Sequence, residues 1–103
     1  MSNLKREICP SYPGKILHEM FLVPRKIKVG EFANAVGLSQ KTLSLILHGK
    51  ASVTPKTSEK FARALGTTPE LWLNLQKNVD LFDARQELAD WKPSRTWSVA
   101  QAS

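Results

Sequence analysis

Gln40, Lys41 and Ser44 are the residues whose types and spacing invite chemistry, and that chemistry is hydrogen bonding to bases. Within Gln40–Leu47, Leu43, Ile46 and Leu47 fall on one helical face, so Gln40, Lys41, Ser44 and, on the flank, Leu45 point the other way. A glutamine can pair with adenine N6 and N7, a lysine donates to guanine O6 or N7, and a serine donates or accepts. Arg25, Lys26, Lys28, Lys50 and Lys56 surround that face, and Glu31 is the only acid between residues 24 and 56. Such bases suit phosphate contacts, which supply affinity and register without sequence information. Helix starts at 29 and 40 would add outward N–H groups, a further device for holding anions. The plainer alternative is the solvated face of an ordinary amphipathic helix. A polar first turn in an acid-poor surround favours nucleic acid over it.

Bond-breaking chemistry finds no support. A nucleophilic site needs a nucleophile, an adjacent base and an orienting group. Cys9 with His18 or His48 is the one conceivable thiol pair, and Cys9 sits in an irregular lead with no third member near it. His18, next to Glu19, reads as a surface histidine. Two distant histidines fit no zinc spacing, and the five glycines are scattered as helix punctuation, not gathered into a phosphate-cradling loop. We expect no enzyme, no catalytic or metal site, no cofactor and no small-molecule substrate.

The elements that must position Gln40 are short helices. Pro13-Gly14 opens a segment over Lys15–Leu22 with Ile16, Leu17, Met20 and Phe21 as its apolar face. Pro24 and the run Arg25-Lys26-Ile27-Lys28 end it. Val29–Val36 places Phe32, Ala33 and Val36 together and stops at Gly37; two residues on, Ser39 offers a cap to Gln40–Leu47, which Gly49 closes. Two helices this short, joined by Gly37-Leu38-Ser39, bury both faces only if they cross steeply, as in a helix-turn-helix. Thr54-Pro55 and Thr68-Pro69 each set a capping hydroxyl before a proline, opening Pro55–Leu65 (Phe61, Ala62 and Leu65 inward) and Pro69–Arg85 or somewhat longer. The expected fold is all-α, with five helices in a domain over residues 1–90 and a short extended tail over 91–103. A short strand at Thr96–Val99 is conceivable, and Trp91 and Trp97 are expected to pack back on the domain.

At 103 residues the chain is one domain's worth, with 42% hydrophobic and 23% charged residues, a globular balance. Its net charge of +6 is lopsided: residues 1–66 hold eleven bases and four acids, residues 67–103 four bases and five acids. That suits a polyanion-binding face joined to a region with another task. A single cysteine excludes an internal disulfide and suits a reducing cytoplasm. No apolar run approaches the ~20 residues of a membrane span, and no apolar stretch follows Lys5-Arg6-Glu7 as in a signal peptide. The last helix is too apolar for one buried side: Leu71, Trp72, Leu75, Val79 and Phe82 make one stripe, and Leu73 and Leu81 lie off it. Either the helix is buried all round, or Trp72 enters the core while Leu73, Val79, Leu81 and Phe82 meet a second copy. A two-fold dimer is what helix-turn-helix readers need to engage two half-sites.

Gly30–Ser44 followed by His48-Gly49-Lys50 resembles the helix-turn-helix of the phage-repressor (XRE) superfamily. Tyr12-Pro13-Gly14-Lys15-Ile16-Leu17, Val53-Thr54-Pro55 and Ala64–Gln76, with its Thr-Pro-Glu-x-Trp-x-x-x-Gln run, narrow the resemblance to the HigA-type (VapI-like) antitoxins. It covers about residues 10–88. The resemblance implies a phage-repressor-like fold with its helix-turn-helix at 29–47 and a dimerisation helix at about 69–88. It also implies base contacts from Gln40, Lys41, Ser44 and Leu45, with Leu45 available to a thymine methyl. Lys28, Thr42, His48 and Lys50 complete the expected phosphate set, and Lys28 stands where a capping Ser, Thr or Asn is common. The partners implied are double-stranded operator DNA, a HigB-type messenger-RNA-cleaving toxin and a second copy of the chain. A stand-alone regulator of the same superfamily, without a toxin, is the alternative.

Overall fold

The computed structural model describes residues 10–97, so Cys9, Ser98 and Val99 lie outside the described residues. Helix α1 (Pro13–Ile16) runs without a break into a wider π-helical coil over Leu17–Leu22. It is followed by α2 (Val29–Val36), α3 (Gln40–Leu47), α4 (Pro55–Leu65) and α5 (Pro69–Glu87). Among the described residues there is no strand. The first helix begins at Pro13, two residues before the expected start, because proline at N1 lacks only an N–H that would go unpaired there.

Local chemistry sets the other boundaries. The Glu31 carboxylate accepts the Lys28 backbone N–H at 3.3 Å, which starts α2 at Val29 without a capping side chain at Lys28 itself. Gly37 stops α2 in the left-handed region at φ 70°, where a Cβ would be strained. Ser39 Oγ accepts the Thr42 N–H at 3.0 Å, Thr54 Oγ1 that of Thr57 at 3.2 Å, and Thr68 Oγ1 that of Leu71 at 3.3 Å. Each satisfies one of the four N–H groups a helix start leaves orphaned.

The core is Leu17, Leu22, Phe32, Ala33, Val36, Leu43, Ile46, Val53, Phe61 and Trp72. Phe61 stands at its centre, edge-on to Trp72 at 5.4 Å and tilted against Phe32 at 5.5 Å. Phe21 closes the aromatic row on the other side of Trp72, at 5.4 Å. Ser58 is fully buried beside these rings, and its Oγ has no hydrogen-bond partner among the described residues, a cost to stability.

Two expectations about packing are corrected. Met20 is 60% exposed and Leu22 is buried, because the coil over Leu17–Leu22 closes i→i+5 bonds: the Val23 N–H reaches the His18 carbonyl at 2.9 Å. With more than four residues per turn the inward position after Leu17 is five along, at Leu22. Trp91 and Trp97 do not return to the domain but are 61% and 71% exposed. The described tail leaves the end of α5 without a regular element, and Trp97 stacks instead under the Arg95 guanidinium at 4.6 Å.

Candidate nucleic-acid interface

Helix α3 is presented by two supports. Helix α2 packs across it, joined by Gly37–Ser39, and the Leu38 N–H is held by the Ala33 carbonyl at 2.9 Å. Helix α1 lies against its other end, with the buried Gly14 beside Ile46 and Leu47. Leu43 and Ile46 are its buried side, so the opposite side must face outward.

Gln40, Lys41 and Thr42, the leading turn, are all exposed, and Leu45 is 38% exposed. Ser44 is half-buried, with its Oγ 3.4 Å from His48 Nδ1. His48 Nδ1 also lies 2.8 Å from the Ser44 carbonyl, a contact that requires Nδ1 to carry the proton and donate. That leaves the Nε2 edge facing solvent, where the imidazolium, not the neutral ring, would donate to an anion. Ser39 Oγ donates to Thr42 Oγ1 at 2.9 Å, so the Thr42 hydroxyl proton remains free to point outward. Lys28 and Lys50 are exposed at the start of α2 and just past the end of α3. Seven of the eight expected contact residues thus lie on α3 or within three residues of its end, and Lys28 stands apart at the start of α2.

Arg25 does something else. Its guanidinium lies 5.1 Å over the Phe21 ring and donates to the Phe21 and Met20 carbonyls at 3.3 and 3.4 Å, closing the end of the first helical segment. Gln76 acquires a role that its place in a sequence motif did not announce. Its Oε1 accepts the Val53 N–H at 3.0 Å and its Nε2 donates to Asp80 at 3.0 Å, tying the segment after α3 to α5. The signal was available: a single polar residue four positions beyond Trp72, on the side of α5 that enters the core.

On α5, Trp72 is fully buried, Leu73, Val79 and Phe82 are half-buried, and Leu81 is 41% exposed. Leu88, absent from the expected set, stands seven residues beyond Leu81, on the same side of α5, and is likewise exposed. Among the described residues no cluster of His, Cys, Asp or Glu has the make-up of a metal site, and no helix is long and apolar enough to cross a membrane.

Residues 19–72 match the family described as helix-turn-helix. The chain is 41% identical over 76 residues to antitoxin HigA-1 of Vibrio cholerae, covering 74% of this chain and 71% of that protein. It is 36% identical over 91 residues to an uncharacterized HTH-type transcriptional regulator of Haemophilus influenzae, covering 82% and 85%. Among solved structures, antitoxin GraA superposes with a TM-score of 0.80 at 33% identity, over 86% of this chain and 99% of that one. GraA in complex with its operator superposes at 0.78 with 32% identity, over 88% and 95%.

Proposed function

The chain belongs to the helix-turn-helix family, and on that premise we propose that it is the antitoxin of a HigBA-type module. In this reading it is a cytoplasmic homodimer that represses its own operon and neutralises a messenger-RNA-cleaving toxin of HigB type. The family is one of DNA-binding regulators, not enzymes. The observation that carries the reading is the exposed leading turn of α3, Gln40, Lys41 and Thr42, on a fold whose relative GraA has been solved on its operator. Gln40, Lys41, Ser44 and Leu45 face the bases; Lys28, Thr42, His48 and Lys50 face the backbone.

Titration of the DNA upstream of the gene tests it. Gln40→Ala should cost about 1–3 kcal/mol on the preferred site and nothing on random DNA. Lys50→Ala should weaken both alike and flatten the dependence of log affinity on log salt by about one. Equal losses on random DNA would remove Gln40 from the reading set. The toxin half is tested by co-purification with the product of an adjacent small basic reading frame and by loss of that product's messenger-RNA cleavage when the two are mixed. The likeness to an HTH-type transcriptional regulator favours the alternative, a stand-alone repressor, if no such neighbour exists.

The dimer is assigned to Leu73, Val79, Leu81 and Phe82. The monomer leaves these apolar groups half-buried or exposed on two sides of α5, and such groups are what an isologous interface covers. Leu81→Glu should yield a folded monomer by light scattering, with operator affinity reduced at least tenfold because one half-site is lost. A dimer that persists moves the interface elsewhere.

A further inference from the structure

The geometry points to Gly30 as a positioning residue for Gln40, the seat against which the reading carboxamide is set. This rests on the reading of Gln40 proposed above. Gly30 is the second residue of α2, half-buried, and its φ is not in the left-handed region. The backbone there makes no demand for glycine, and alanine is the better helix former. What the glycine leaves is space. A Cβ at residue 30 would lie 2.6 Å from Gln40 Nε2, 3.4 Å from Cδ and 4.0 Å from Cγ, and near no other group. Gly30, Ala33, Asn34, Leu38 and Gln40 together line a shallow depression between α2 and α3, with the Gln40 side chain forming the wall over Gly30.

The three atoms at risk all belong to one flexible side chain, so a methyl at residue 30 evicts the carboxamide and leaves the fold alone. A bidentate pair to adenine needs two bonds of about 2.7–3.2 Å with near-linear donors, and a reading group must be held to within about 0.5 Å. Displacing the amide by the better part of an ångström therefore alters readout at one base pair. The phosphate contacts, carried by other residues, stay as they were.

The test uses Gly30→Ala, Gln40→Ala and the double variant of the full chain. Each is titrated at fixed salt against the preferred site, against sites changed at each position in turn, and against random DNA; each is also melted. The Gly30→Ala variant is expected to melt at or above the parent temperature and to hold random DNA with unchanged affinity and salt slope. It should lose about tenfold on the preferred site, with base preference flattened at the same position that Gln40→Ala flattens. In the Gln40→Ala background it should add nothing. Parent-like affinity for the preferred site overturns the proposal. So does a loss shared by random DNA, an additive double variant, or a melting temperature several degrees lower. Should Gln40→Ala itself leave preferred-site affinity intact, the reading of Gln40 fails first and the role of Gly30 falls with it.

Discussion

Gly14→Ala should be the most damaging glycine-to-alanine change in this chain, lowering stability by about 3 kcal/mol or more, the upper end for overpacking. A Cβ there would fall on the Ile46 carbonyl oxygen and 2.5 Å from Leu47 Cα. Both are backbone atoms of α3, and neither can rotate away as a side-chain tip would. The two helices must separate, taking Leu17 from its place in the core and tilting the helix that carries Gln40. For a domain of this size 3 kcal/mol corresponds to about 12–24 °C in Tm, read by far-ultraviolet circular dichroism. Gly66→Ala is the control: nothing lies within 4 Å of its Cβ, and only the left-handed φ of 74° opposes it, a strain of about 1 kcal/mol. A Gly14→Ala variant that melts no lower than the control would mean that α1 and α3 do not touch as described.

The contrast between Gly14 and Gly30 shows what a sequence discloses and what it withholds. Boundaries of α2, α3 and α4 were legible because each carries its own punctuation: Gly37, Ser39 and Thr54-Pro55 act within a turn of where they stand. The outward set of α3 was legible for a related reason, since fixing Leu43 and Ile46 inward leaves Gln40 and Lys41 only one way to face. Close approaches between helices carry no such local mark. Nothing near Gly14 or Gly30 in the chain says that α3 will lie against the one and Gln40 against the other. The π-helical coil over Leu17–Leu22 is of the same kind: its i→i+5 bonds satisfy packing, not any residue's own preference, so a reading at 3.6 residues per turn put Met20 inside and left Leu22 out. Residue type alone predicts that Trp91 and Trp97 pack inward, yet both stand exposed, and Trp97 meets the Arg95 guanidinium instead. Likewise nothing in the sequence around Arg25, a base suited to phosphate, says that helix-end carbonyls and the Phe21 ring will engage its guanidinium.

Trp72→Ala should cost about 3–5 kcal/mol, against a total of about 5–15 kcal/mol for a domain, and so leave the chain marginally folded or unfolded. Three interactions are lost together. The indole is fully buried, it meets Phe61 edge-on and Phe21 at a tilt, each at 5.4 Å, and its Nε1 donates to Thr67 Oγ1 at 2.8 Å. Thr67→Val separates the last of these: it leaves a buried N–H without an acceptor and should cost about 1–3 kcal/mol while the rings stay packed. Urea unfolding monitored by circular dichroism measures both, and a Trp72→Ala variant as stable as Thr67→Val would show the rings to contribute little. The functional consequence is as specific as the energetic one. Trp72 lies on α5 and is fully buried among core side chains, whereas the candidate reading groups of α3 are exposed or half-buried. Operator affinity of the variant, corrected for its folded fraction, should therefore match that of the parent, and a residual loss after correction would mean that α5 sets the angle of α3 as well as completing the core.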